Sequence, residues 1–127
     1  MSKTKVLVAE DNGECLDFLC ETLEDEGFSV MIAANGEKAI QILNEIKPDV
    51  IVTDLMMPLF SGGDLIRYVR TNRALAQIPI VVASGYGKKY ESEALSAGAT
   101  VVLQKPIDIS LLIDMIRRSG LSLASPR

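Results

Sequence analysis

Histidine is absent from this 127-residue chain, which removes histidine-based metal sites, Ser-His and Cys-His catalysis, and any histidine phosphodonor of its own. Cysteine is scarce: Cys15 and Cys20 stand five apart in a segment that reads as helix. That spacing turns them about 140° apart around a helix axis, too far round to bridge. They read as apolar filling of a reduced, cytoplasmic protein rather than as reactive thiols. No apolar run approaches the ~18 residues of a membrane span. The four apolar residues between Lys5 and Glu10 are too few for a signal-peptide core, so neither a leader nor a membrane anchor is expected. Positive charge is also short. Thirteen Lys and Arg against seventeen Asp and Glu leave a net charge of -4, a poor match to a phosphate backbone, so direct nucleic-acid binding is not expected.

What remains is ordinary globular material, 48% apolar and 24% charged, enough for one domain that needs no disulfide or metal staple. Five short apolar runs recur: Val6-Leu7-Val8-Ala9, Val30-Met31-Ile32-Ala33, Val50-Ile51-Val52, Ile80-Val81-Val82-Ala83 and Val101-Val102-Leu103. They are continuous rather than alternating and mostly β-branched, the pattern of parallel strands buried on both faces. Between them lie helical spacings. Leu16, Leu19, Cys20 and Leu23 share a face, as do Ala39, Leu43 and Ile46, then Leu65, Ile66 and Val69, then Leu111, Leu112, Met115 and Ile116.

Punctuation agrees with this division. Asn12 and Asn35 are placed to cap helices, Gly27 to end one, and Asp108 to open the last. Gly62-Gly63 reads as the start of the third helix, and Pro48 and Pro79 precede strands. The fourth helical segment is weak, convincing only from about Glu91 to Ala97, with a mobile Gly85-Tyr86-Gly87 stretch before it. Residues 1–119 therefore read as one domain and 120–127 as a loose C-terminal tail. A β-α unit repeated five times folds through right-handed crossovers into a doubly wound parallel sheet, an α/β fold.

Ligands of such sheets bind beyond the carboxyl ends of the strands. Here those ends carry Glu10-Asp11, Asp54, Ser84 and Lys105. Three carboxylates drawn together repel one another unless a cation joins them. With Lys105 the cluster still stands at -2, which a hard divalent ion with oxygen ligands such as Mg²⁺ would neutralise.

At these residues the chain resembles the receiver domains of two-component response regulators. The matching strings are Val6-Leu7-Val8-Ala9-Glu10-Asp11-Asn12, Asp54-Leu55-Met56-Met57-Pro58 with Gly62 four beyond the proline, Ala83-Ser84-Gly85, and Lys105-Pro106. In this order and spacing they span nearly the whole chain. The resemblance implies a flavodoxin-like fold with strand order 2-1-3-4-5. It implies that Asp54 accepts a phosphoryl group from the phosphohistidine of a sensor histidine kinase or a histidine phosphotransfer protein. It also implies that Mg²⁺ is held by Asp11, Asp54 and the backbone carbonyl of Met56, with Glu10 acting directly or through water. Ser84 and Lys105 would bind phosphoryl oxygens, and Pro106 would follow a cis peptide bond. The implied protein is a phospho-accepting switch that catalyses its own phosphorylation and dephosphorylation and signals to a downstream protein by contact, since these residues leave no room for an output domain beside the receiver.

One position departs from the family pattern. The usual Tyr or Phe three residues before the lysine is Val102 here, and Tyr86 or Tyr90 is the nearest substitute. Met57 and Phe60 read as packing around the Asp54 loop, Lys88-Lys89 as a solvated pair, and Arg117-Arg118 as partners of the last helix's dipole. Competing classes fare worse. A flavodoxin-type electron carrier needs a phosphate-binding loop where Glu10 and Asp11 stand. An aspartyl phosphatase needs a second acid two residues after its nucleophile, where Met56 stands. A receiver that binds partners without phosphorylation has no use for the complete acid, hydroxyl and lysine set.

Overall fold

The computed structural model describes residues 3–57, 61–85 and 87–124. Strands and helices alternate: β1 (Lys5–Ala9), α1 (Gly13–Asp25), β2 (Ser29–Ala33), α2 (Gly36–Leu43), β3 (Val50–Asp54), α3 (Gly62–Thr71), β4 (Ile80–Ser84), α4 (Lys88–Ala97), β5 (Val101–Gln104) and α5 (Ile109–Ala124). The sheet order is β2-β1-β3-β4-β5, with every pair parallel.

Side-chain alternation along the strands divides the core in two. Leu7, Ile51, Ile80 and Val82 point to one face and pack with Ala39 and Leu43 of α2, Leu65, Ile66 and Val69 of α3, and Ala94 of α4. Val6, Val8, Val50, Val52, Val81 and Leu103 point to the other and pack with Leu16, Leu19 and Leu23 of α1 and Leu112 and Ile116 of α5. Burial on both faces holds for β1, β3 and β4, whereas β2 and β5 are edge strands. Ile32 on β2 is 41% exposed.

The caps fall where the side chains promised. Asn12 Oδ1 accepts from Cys15 N, Asn35 Oδ1 from Lys38 N, and Asp108 Oδ1 from Leu111 N. Gly27, at φ +95°, follows the last turn of α1 in a conformation that costs glycine little. Five expectations need correction. Ile46 lies beyond α2 and is largely exposed, because the helix ends three residues earlier. Leu111 is exposed too; its neighbours Leu112 and Ile116 make the inward stripe. α4 starts at Lys88, not Glu91. Its first turn carries exposed lysines, good helix formers that leave no hydrophobic signature. α5 runs through Gly120 to Ala124, where a tail was expected. Arg117 therefore stands well inside this helix. Its guanidinium meets Glu26 Oε1 at 2.8 Å and lies over the Phe28 ring, tying α5 to the end of α1 instead of serving the helix end. Arg118 pairs with Asp114 one turn back. Pro58, Phe60, Tyr86 and residues 125–127 lie outside the described residues. Among those described, no helix is long and apolar enough to cross a membrane.

Candidate functional site

The parallel register brings the strand ends level. Ala9 pairs with Thr53, Asp54 with Ala83, and Ser84 with Gln104. Backbone bonds then carry the ladder one residue past the strands, with Glu10 N donating to Ala33 O, Leu55 N to Ala83 O and Lys105 N to Ser84 O. The residues that follow β1, β3 and β5 are thus held by sheet geometry rather than by free loops. Glycine is required at one flank. Gly62 N donates to Leu55 O, and a Cβ on Gly62 would overlap the Asp54 carbonyl and come within 2.8 Å of Leu55 Cα. α3 is started by a box that the sequence reading passed over, in which Ser61 and Asp64 cap each other's backbone amides and Arg67 pairs with Asp64.

Glu10, Asp11 and Asp54 each offer a carboxylate oxygen, and these oxygens lie within 4.8 Å of one another. Glu10 and Asp54 are buried and Asp11 faces solvent. Lys105 Nζ reaches both buried acids, at 3.2 Å from Asp54 Oδ2 and 3.3 Å from Glu10 Oε1. The peptide bond from Lys105 to Pro106 is cis, as the resemblance implied. Ser84 is fully buried at the end of β4. The structure therefore brings Glu10, Asp11, Asp54 and Lys105 together and sets Ser84 on the neighbouring strand end. Met56 joins through its backbone, its amide donating to Asp54 while its side chain projects into solvent. Met57 is core, as expected.

The two buried acids differ in proton affinity. Burial and then the nearby Glu10 charge push Asp54 above the ordinary aspartate value, against the pull of Lys105 and the Met56 amide. Burial would raise Glu10 as well, but the Asn12 amide, Lys105 and the Cys15 thiol together hold it below the ordinary value. Lys105 loses hydration, yet Asp54 and Glu10 hold its ammonium more firmly protonated than usual. Three carboxylates against one ammonium leave an all-oxygen cluster with surplus negative charge, which fits a hard divalent cation.

Three residues here were missed from sequence. Asn12 N donates to Glu10 Oε2, and Cys15 Sγ lies 3.5 Å from Glu10 Oε1. Thr53 Oγ1, fully buried, donates to the Asp54 carbonyl. Their signal is three-dimensional. Cys15 meets Glu10 only because α1 turns back over the end of β1.

A five-stranded parallel sheet in this order, with acids, a hydroxyl residue and a lysine on its carboxyl edge, is the flavodoxin-like receiver architecture. The chain belongs to the response regulator receiver domain family, whose model matches residues 6–117. It is 32% identical over 126 residues to the probable transcriptional regulator ycf29 of Pyropia yezoensis, covering 95% of this chain and 57% of that protein. It is 36% identical over 103 residues to the sensor histidine kinase TmoS of Ectopseudomonas mendocina, covering 80% of this chain and 10% of the kinase. The chain thus spans little more than half of the one relative and a small part of the other. Among solved structures, the receiver domain of the Francisella response regulator 1452 superposes with a TM-score of 0.88 at 29% identity, covering 95% of this chain and 99% of that one. Receiver domains are phosphoryl-accepting switches that generally bind Mg²⁺ in an acidic pocket and interact with histidine kinases and downstream targets.

Proposed function

We propose that Asp54 is the phosphoryl acceptor of this receiver. The observation that carries the reading is the Lys105 ammonium 3.2 Å from Asp54 Oδ2 inside a cluster of three carboxylates. A carboxylate and a phosphoryl group repel each other, so transfer depends on positioning and charge neutralisation. The P–N bond of a donor phosphohistidine breaks as a P–O bond to the Asp54 carboxylate forms, and the imidazole departs as the leaving group. Lys105 stabilises one equatorial phosphoryl oxygen and the Ser84 hydroxyl bonds another. Asp11, Asp54, the Met56 carbonyl and Glu10 would hold Mg²⁺, which when bound supplies the remaining positive charge. Hydrolysis of the resulting aspartyl phosphate returns the resting state.

The phosphodonor is a sensor histidine kinase or a histidine phosphotransfer protein. The output is contact with a downstream protein rather than with nucleic acid, in the cytoplasm. The receiver unit spans residues 1–119, and α5 carries on past it to Ala124. The test is incubation with Mg²⁺ and a small acyl phosphate, followed by mapping of the adduct. One acid-stable, alkali-labile phosphoryl group on Asp54 is expected, absent from Asp54→Asn and from samples treated with chelator. Equal labelling of Asp54→Asn would overturn the assignment.

A further inference from the structure

Glu10 is an unusually occupied carboxylate. It is only 3% exposed and carries donors from three different segments. Lys105 Nζ, after β5, and Cys15 Sγ, in the first turn of α1, both reach Oε1, at 3.3 and 3.5 Å. The Asn12 amide reaches Oε2 at 3.1 Å. A carboxylate oxygen accepts about two hydrogen bonds in its plane. Among the described contacts Oε1 is therefore filled, and the vacant lone pair of Glu10 lies on Oε2. Lys105 is shared with Asp54, so the thiol is the side-chain donor that serves Glu10 alone.

We propose that Cys15 is a positioning residue for the acidic cluster: its thiol completes the coordination of Glu10 Oε1 and thereby presents Oε2 toward the cation held with Asp11 and Asp54. This rests on the reading of the cluster as a divalent-cation site. The cysteine is then more than apolar filling, since its contact is to a carboxylate. Without the thiol, Oε1 regains an empty acceptor position, and the carboxylate can rotate about its last torsion, a broad and soft one, away from the productive orientation. Partners that orient a metal's ligands commonly matter 10–100-fold for affinity; a thiol is a weak donor, so a loss of about threefold to tenfold is expected here.

Calorimetric titration with Mg²⁺ alone tests this, and it does not depend on phosphorylation. Cys15→Ala should bind Mg²⁺ about threefold to tenfold more weakly than the parent while remaining folded by circular dichroism, and Cys15→Ser should recover most of the loss. In a Glu10→Gln background, adding Cys15→Ala should change Mg²⁺ affinity by less than about twofold, because the residue it positions is already altered. Parent-like affinity in Cys15→Ala overturns the proposal. So does equal weakening in the Ala and Ser variants, which would mark a packing role, or a full additional loss in the Glu10→Gln background. Failure of the cluster reading itself would look different, since the parent protein would then show no Mg²⁺ binding at all.

Discussion

Glu10 and Asp54 are both buried carboxylates sharing one lysine, yet their proton affinities are pushed in opposite directions. Glu10 has dedicated donors, whereas Asp54 has fewer and feels the Glu10 charge. An acid that holds its proton more tightly folded than unfolded contributes less to stability as pH rises through the ordinary aspartate value toward its folded value. Above both values its charge is a constant penalty. Asp54→Asn removes that penalty and leaves Lys105 its Glu10 partner. Without divalent cations at pH 7, the variant should melt a few degrees above the parent. The gap should narrow as pH falls and Asp54 becomes neutral, and also when Mg²⁺ stabilises the parent. Thermal melts in chelator at two pH values read this directly, and a lower melting point for the variant at pH 7 would contradict it. The instability is useful chemistry. A divalent cation in the proposed site would offset the carboxylate charge that is costly without it.

α4 is lightly anchored at its start. Gly87 caps it at φ +89° with no side-chain bond, and Ala94 is its one buried residue among those described. Tyr90 on its first turns packs against the same apolar cluster as Val102 on β5, and Gln104 Nε2 reaches Glu91 Oε2 at 3.1 Å. Arg70 of α3 steadies the other end, donating to the carbonyls of Gly98, Ala76 and Ile78. A helix held firmly at its C-terminal end and loosely at its start responds at its start. Valine at position 102 is stiff and too small to swing between buried and exposed positions as an aromatic ring does. With beryllofluoride standing in for the phosphoryl group, amide hydrogen exchange should change more at Gly85 and Gly87–Tyr90 than across Thr100–Gln104. Equal or larger changes along Thr100–Gln104 would show that the signal crosses β5 without an aromatic. The weak start of α4 was partly legible, since its glycines announced a loop. Its extension to Lys88 was not, because exposed lysines at the start of a helix look the same as in a loop.

In the whole molecule, stability is concentrated in the three inner strands, each covered by helices on both faces. Ile51 on β3 is fully buried between β1 and β4, so Ile51→Ala should cost about 2–5 kcal/mol by urea denaturation. Ile32→Ala on the edge strand β2 should cost at most about 1 kcal/mol. Comparable losses at the two positions would contradict this division of the core. The sheet also fixes the backbone of the site. Glu10 and Lys105 each follow, and Asp54 ends, a strand whose ladder is extended by a further backbone bond.

Strand and helix order, the parallel sheet and the acids, hydroxyl and lysine at its carboxyl edge were all determined by local sequence. Apolar runs, caps and strand-end residues are local patterns, and a βα repeat admits few topologies. Tertiary structure alone decided which neighbours those residues have. Glu10 receives a thiol from α1 and an ammonium from beyond β5, contacts between residues 5 and 95 positions apart in the chain. It also decided that Leu111 faces outward and that Arg117 reaches across to Glu26. Hydrophobic periodicity specifies which face of an element turns inward. Only packing specifies what that face meets, and the proton affinities of Glu10 and Asp54 are set by those meetings.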